Sequence, residues 1–118
     1  MIEPSDLAAI DKHYFEIIGN NNYCITIRSM NTLHEWHLME RVANGHRTFV
    51  ISHRHGVSRP YHVQRSKPTV AACCEYIRSH DEYYLEKVRK QKKGGNNGSD
   101  SYSRTARFNR IRLEHINF

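Results

Sequence analysis

The pair Asn44-Gly45 limits what this chain can fold into more than any other feature of its sequence. It stands between two strand-like runs in LHEWHLMERVANGHRTFVISHRH. A two-residue type I′ turn needs positive φ at both central positions, which Asn and Gly accept most cheaply. A hairpin closed there has one register: Ala43 faces His46, Glu40 faces Phe49, Leu38 faces Ile51, Trp36 faces His53 and His34 faces His55. One face then carries Trp36, Leu38, Phe49 and Ile51, with histidines at its open end. The other carries His37, Met39 and Arg41 beside Ser52, Val50 and Thr48. A slip of one residue would exchange the two faces.

The neighbouring stretches extend this hairpin into a sheet. Tyr23 to Arg28 alternates Tyr23, Ile25 and Ile27 with Cys24, Thr26 and Arg28, the period of a strand. After a turn at Gly56-Val57-Ser58-Arg59, Pro60 to Arg65 supplies a further strand. A short loop there sets Tyr61 beside His53 and Val63 beside Ile51, and sends His62 and Gln64 to the polar face with Arg54. Ser66-Lys67-Pro68-Thr69 starts a long helix, whose apolar stripe runs through Val70, Cys73, Cys74, Ile77, Tyr84, Leu85 and Val88. Near the amino terminus, Ser5-Asp6 caps a helix with Leu7, Ile10, Tyr14 and Ile17 on one stripe, stopped at Gly19. A strand over 13–18, paired with 23–28 across Asn20-Asn21-Asn22, is the rival, since Tyr14, Phe15, Ile17 and Ile18 also suit a strand. The expected fold is α+β: a four-stranded antiparallel sheet (23–28, 34–43, 46–55, 60–65), a short helix over 5–18 and a long helix over 68–91 packed on one face. Residues 1–93 are expected to make a single domain, 94–101 a Gly/Asn/Ser-rich linker, and 102–118 a basic segment suited to an added edge strand or to ordering on a partner.

Charge is unevenly placed along the 118 residues. Residues 1–40 hold two Lys/Arg against six acids, and residues 41–118 sixteen against six, within a total of +6. The basic part suits a polyanion or an acidic protein surface. Three cysteines, two of them adjacent, make no disulfide framework and favour a reducing, intracellular setting. The first residues lack the basic start and apolar run of a signal peptide, and no stretch approaches the length a membrane helix needs.

Nine histidines supply the chemistry worth weighing. The hairpin register gathers His34, His53 and His55 at one rim, where three imidazoles are candidate metal ligands. No Cys-x-x-Cys, His-Glu-x-x-His or paired-carboxylate motif accompanies them, and Glu35 falls on the opposite face, so the simpler expectation is no metal and no cofactor. Candidate binding residues are His37, Arg41, Arg54, Arg59 and His62 on and around the polar face, and Lys87, Arg89, Lys90, Lys92 and Lys93 at the end of the long helix. Arg104, Arg107, Arg110 and Arg112 of the final segment complete the set. Cations at a helix carboxy terminus also complement its dipole, which accounts for the lysine run without a ligand. Cys73 and Cys74 fall on the buried stripe, and no loop serine has an orienting acid, so no catalytic residue is assigned.

The order of strands followed by a helix is similar to that of small sheet-plus-helix DNA-binding modules and, with the first helix, to that of double-stranded-RNA-binding domains. The lysine pair that opens the last helix of the latter has no counterpart in Ser66-Lys67-Pro68-Thr69. The expected function is non-enzymatic binding of nucleic acid, or of a nucleic-acid-handling protein, through electropositive surfaces. Two alternatives carry the same charge or the same histidines. One is an anti-CRISPR-like inhibitor of a host nuclease or defence system, encoded by a phage or mobile element; the other is a histidine-based metal-dependent hydrolase.

Overall fold

The computed structural model describes residues 1–95, with side chains through Gln91. In chain order the elements are helix α1 (Pro4–Ala8), strands β1 (Phe15–Asn20), β2 (Cys24–Ser29), β3 (Glu35–Ala43), β4 (His46–Arg54) and β5 (His62–Lys67), and helix α2 (Val70–Gly95). The strands form an antiparallel meander in the order β1-β2-β3-β4-β5. Contacts divide the chain into two units, Met1–Ser79 and His80–Phe118, so the boundary falls inside α2.

The central hairpin has the register that Asn44-Gly45 dictates, from Ala43↔His46 through Leu38↔Ile51 to Trp36↔His53. Asn44 and Gly45 both take positive φ, 54° and 77°, as a type I′ turn requires. The face so selected is the core. Trp36, Leu38, Phe49 and Ile51 are fully buried and cluster with Ile25 and Ile27 of β2, Phe15 of β1, Ile10, and Val70, Cys73, Cys74 and Ile77 of α2. Thr69 starts α2, its Oγ1 accepting the Ala72 amide at 3.0 Å, so one orphan donor of the first turn is met by a side chain.

Expectations are corrected at the strand count, at the bounds of the first helix, at β5 and at α2. The sheet has five strands among the described residues, because Phe15–Asn20 is a strand and the first helix ends at Ala8. Burial of Phe15 and pairing of β1 with β2 outweigh the continuation of the helical stripe, and Tyr14, Phe15, Ile17 and Ile18 are aromatic or β-branched residues that suit a strand. Asn20 ends β1 and Asn21-Asn22-Tyr23 is therefore the hairpin turn, in which the Asn21 side chain accepts the Tyr23 and Cys24 amides, each at 2.9 Å. Gly19 lies within β1 next to a bulge at Ile18. The helix begins earlier than expected as well: Pro4 opens it, and the Asp6 carboxylate accepts the Glu3 amide at 2.7 Å.

A further correction concerns β5. His62 pairs with His53 and Val63 with Ser52, one residue away from the expected register, and a bulge at Gln64 then sets Arg65 opposite Ile51. The loop between β4 and β5 spans seven residues, 55–61, where a tight turn was expected. Tyr61 and Val63 consequently move to the open face, while His62 and Gln64 leave it. Helix α2 also starts two residues later than expected and continues through Gly95, so Gly94 and Gly95 of the expected linker are helical. The rest of that linker and the segment 102–118, with its expected edge strand, lie outside the described residues. Among the described residues no helix is long and apolar enough to cross a membrane.

Helix α1 is tied to the sheet through charge. Arg47 Nη2 donates to Asp6 Oδ2 at 2.6 Å and its Nε donates to Glu40, both carboxylates being almost fully buried. The Arg47 hydrogen bond holds the Asp6 carboxyl below its ordinary value of 3.8, against a smaller opposing effect of burial. A carboxyl depressed in the fold binds protons less readily than in the unfolded chain, so its stabilisation is full above pH 3.8 and is lost as pH falls through the folded value. The stability difference between the native sequence and Asp6→Asn, measured by urea unfolding, is expected to be constant well above pH 3.8 and to shrink as the pH falls below it. A difference independent of pH would show that Arg47 does not stabilise the charged form.

Candidate functional site

Three clusters carry the polar chemistry of the unit Met1–Ser79. The first is the histidine rim. Leu33 adopts the left-handed conformation at φ 65° and donates to Ser29 O at 2.7 Å, closing the turn that precedes β3. The His34 amide donates to Thr32 Oγ1 at 3.1 Å, and His34 O accepts from the Ser29 amide at 3.0 Å. His34 is thus fixed at the head of β3, with His53 at the end of β4 and His55 just beyond. His34 Nδ1 and His53 Nε2 are 3.0 Å apart. The His55 ring lies flat on that of His34, with centroids 4.3 Å apart, and His53 lies on Trp36 at 4.0 Å. His34 and His53 are buried, His55 half-buried, and one ligand nitrogen from each lies within 4.8 Å of the others.

The second cluster crosses the open face of the sheet. Glu35 is 3 % exposed and sits between two arginines: Arg54 donates to Oε1 at 2.6 and 2.9 Å and Arg28 to Oε2 at 3.1 Å. Arg28 also pairs with Glu16 at 2.9 Å, so a row of alternating charge runs over four strands. Burial pushes the Glu35 carboxyl up, but the hydrogen bonds from Arg54 and Arg28 outweigh it and hold the group below 4.5. Next to this row lies Tyr61, with His37 stacked on it at 3.7 Å and the Arg54 guanidinium 4.6 Å from its ring centre. Burial, then the Arg54 charge, lowers the His37 pKa, so this imidazole stays neutral further into acid than a free one.

The third cluster is the outer edge of the sheet. Arg65 and Lys67 of β5 both approach the ring of Tyr76 on α2, at 5.6 and 5.9 Å, and the Tyr76 hydroxyl donates to Gln64 Oε1 at 3.4 Å. Arg65 is exposed and His62 lies exposed on the same strand. Neither Arg65 nor Lys67 has an acidic partner among the described residues.

The structure thus sorts the residues singled out in the sequence. His34, His53 and His55 come together. His37 and Arg54 share the open face but are separated from His62, which the shifted β5 register carries to the helix side. Arg54 is committed to Glu35. Arg41 is exposed near the hairpin tip, and Arg59 is half-buried in the β4–β5 loop. In the second unit the Lys87 ammonium lies 5.5 Å over the Tyr83 ring, Arg89 pairs with Glu86, and Lys90 is exposed. The side chains of Lys92 and Lys93, and Arg104, Arg107, Arg110 and Arg112, lie outside the described residues. Sequence reasoning passed over Arg65, Lys67 and Tyr76. The available signal was the i, i+2 spacing of the two cations on the last strand, which puts both on one face.

Cysteine chemistry is suppressed. Burial pushes the Cys73 thiol up to about 12 and that of Cys74 to about 11, far from the thiolate a nucleophile requires.

No protein-family model, no curated protein and no solved structure matches this chain.

Proposed function

We propose that the protein is a non-enzymatic nucleic-acid-binding protein that engages the phosphate backbone through the basic edge of its sheet. The observation that carries this reading is the separation of its cations into two kinds. Arg28, Arg47, Arg54 and Arg78 are each ion-paired to an acid of the same unit. Arg65, exposed, and Lys67, half-buried, lie over the Tyr76 ring instead, with no acidic partner among the described residues. A cation whose charge is met inside the fold gains little from a phosphate; one that is not neutralises it and releases counterions.

Composition supports the same direction. The unit Met1–Ser79 holds nine Lys/Arg against seven acids, a net of +2. Residues 80–118 hold nine against five, a net of +4, so the basic excess is shared between the edge patch and the remainder of the chain. The patch is read as a contact to phosphates, which carry no sequence information, so binding is expected to be independent of sequence. The chemistry of an enzyme has little to build on: Glu35 is saturated by two arginines and the α2 thiols are buried.

Fluorescence anisotropy with labelled duplex DNA, duplex RNA and single strands over a salt series tests this proposal. Binding is expected at low salt, with log affinity falling linearly in log salt. Arg65→Ala/Lys67→Ala is expected to weaken binding to all sequences alike and to lower the slope by about 1.4 to 1.8, since each phosphate contact contributes roughly 0.7 to 0.9. No binding at low salt, or an unchanged slope in the double variant, overturns it.

A further inference from the structure

We propose that His34, His53 and His55 form a binding site for a divalent transition metal ion of the zinc class, independent of the basic edge. Imidazole nitrogen is a borderline donor that suits Zn(II), Co(II), Ni(II) and Cu(II) and is a poor match for Mg(II) or Ca(II). Three such nitrogens in one place are a common donor set of open zinc sites, with the remaining position left to water or to a donor from a partner.

The geometry is close to what a metal needs. In a tetrahedral site with Zn–N bonds of about 2.0 to 2.1 Å, ligand nitrogens are about 3.3 Å apart. His34 Nδ1 and His53 Nε2 are already 3.0 Å apart, and the third nitrogen falls within 4.8 Å of both. A side-chain rotation on the order of 1 Å closes the remainder. His55, the most exposed of the three, lies outside the regular strand and supplies that movement, opening its stack on His34 as it turns. Two of the ligands are rigidly placed. His53 is held by the β3–β4 ladder and by its stack on Trp36, and His34 by the Ser29–His34 turn. That turn keeps Leu33 at φ 65°, a conformation costing a residue with a β-carbon about 1 kcal/mol or more.

Loading the metal needs one rearrangement of hydrogen. With His34 and His53 neutral, the 3.0 Å contact has one ring nitrogen donating N–H and the other accepting it. For both nitrogens to face a metal, the donating ring must carry its hydrogen on its far nitrogen, a tautomeric exchange through solvent that leaves the net charge of the ring unchanged. The site then bears the full charge of the ion, and its open position favours an anionic or neutral donor. Glu35, adjacent in sequence, projects to the opposite face and is held by Arg28 and Arg54, so it is not the base of this rim. The site is therefore one for holding a metal and a fourth ligand.

Trp36 provides the reporter, because it is the sole tryptophan of the chain and its ring lies 4.0 Å from that of His53. Full-length protein prepared without an affinity tag and stripped of metal is titrated with Co(II), followed by Trp emission and by visible ligand-field absorption. Co(II) is expected to quench Trp36 at one equivalent and to develop ligand-field bands, and Zn(II) is expected to reverse both. His55→Ala keeps the buried His34–His53 contact and so the fold, checked by far-ultraviolet circular dichroism. It is expected to weaken Co(II) binding by roughly tenfold or more. His62→Ala, in which the exposed histidine paired to His53 is removed, is expected to bind as the native protein does. Absence of quenching under excess Co(II), equal affinity in His55→Ala, or an equal loss in His62→Ala each overturns the three-histidine assignment. None of these outcomes bears on the salt dependence of nucleic-acid binding.

Discussion

Replacing Glu35 with alanine is expected to destabilise the protein by about 2 to 3 kcal/mol. The carboxylate is 3 % exposed and is the shared partner of Arg28 and Arg54, whose side chains are 30 % and 23 % exposed. Its removal leaves two partly desolvated guanidinium groups. Arg28 keeps Glu16, whereas Arg54 keeps the Val57 carbonyl at 3.1 Å and the face of Tyr61. Breaking a buried pair costs about 3 to 5 kcal/mol when both partners are buried, and the partial exposure of the arginines reduces that. Glu35→Gln preserves volume and one accepting oxygen, so it is expected to lose about half as much. Chemical unfolding of the two variants measures both. A loss under about 0.5 kcal/mol in Glu35→Ala would place the row among ordinary screened surface pairs.

Trp36→Ala is expected to cost more, about 4 kcal/mol, the range found when a large aromatic is deleted from a packed core. The ring is fully buried, packs in the cluster between β2, β4 and α2, and stacks on His53. Its Nε1 donates to Ser29 Oγ at 3.1 Å, and Ser29 is itself fully buried, so truncation removes the one partner shown for that hydroxyl as well as opening a cavity. Trp36→Phe refills most of the volume but leaves the hydroxyl without that donor, for an expected loss of about 1 to 2 kcal/mol. The unfolding midpoint should move in both variants with the denaturant slope unchanged. A loss in Trp36→Phe equal to that in Trp36→Ala would assign the effect to the hydrogen bond and not to packing.

The parts of the site legible in the sequence are those reached through local rules. The turn preference of Asn44-Gly45 and the two-residue period of strands suffice to pair Trp36 with His53, and hence to bring three histidines to one rim. What could not be read depended on length of loop and on competition between neighbours. Tyr61 reaches the open face because the β4–β5 loop spans seven residues and β5 bulges at Gln64, and neither has a distinctive residue pattern. Tyr61 then brings to His37 the aromatic partner that the sequence had withheld from that face. The first strand was similarly ambiguous: Tyr14, Phe15, Ile17 and Ile18 satisfy both a helical stripe and a strand, and pairing with β2 decides between them.

The electrostatics divide along the same line. The sequence by itself determined that the chain is basic, that its basic excess lies after residue 40, and that its central hairpin buries one face and exposes the other. It did so because charge is additive and hairpin register is local. Tertiary structure alone decided which cations are spent inside the fold. Arg54 meets Glu35 from the adjoining strand, and Arg47 meets Asp6 from forty-one residues away, whereas Arg65 and Lys67 lie over Tyr76 with no acid among the described residues. Whether a guanidinium is neutralised depends on separations of a few ångströms between elements distant in sequence, and only the assembled sheet and helix set those distances.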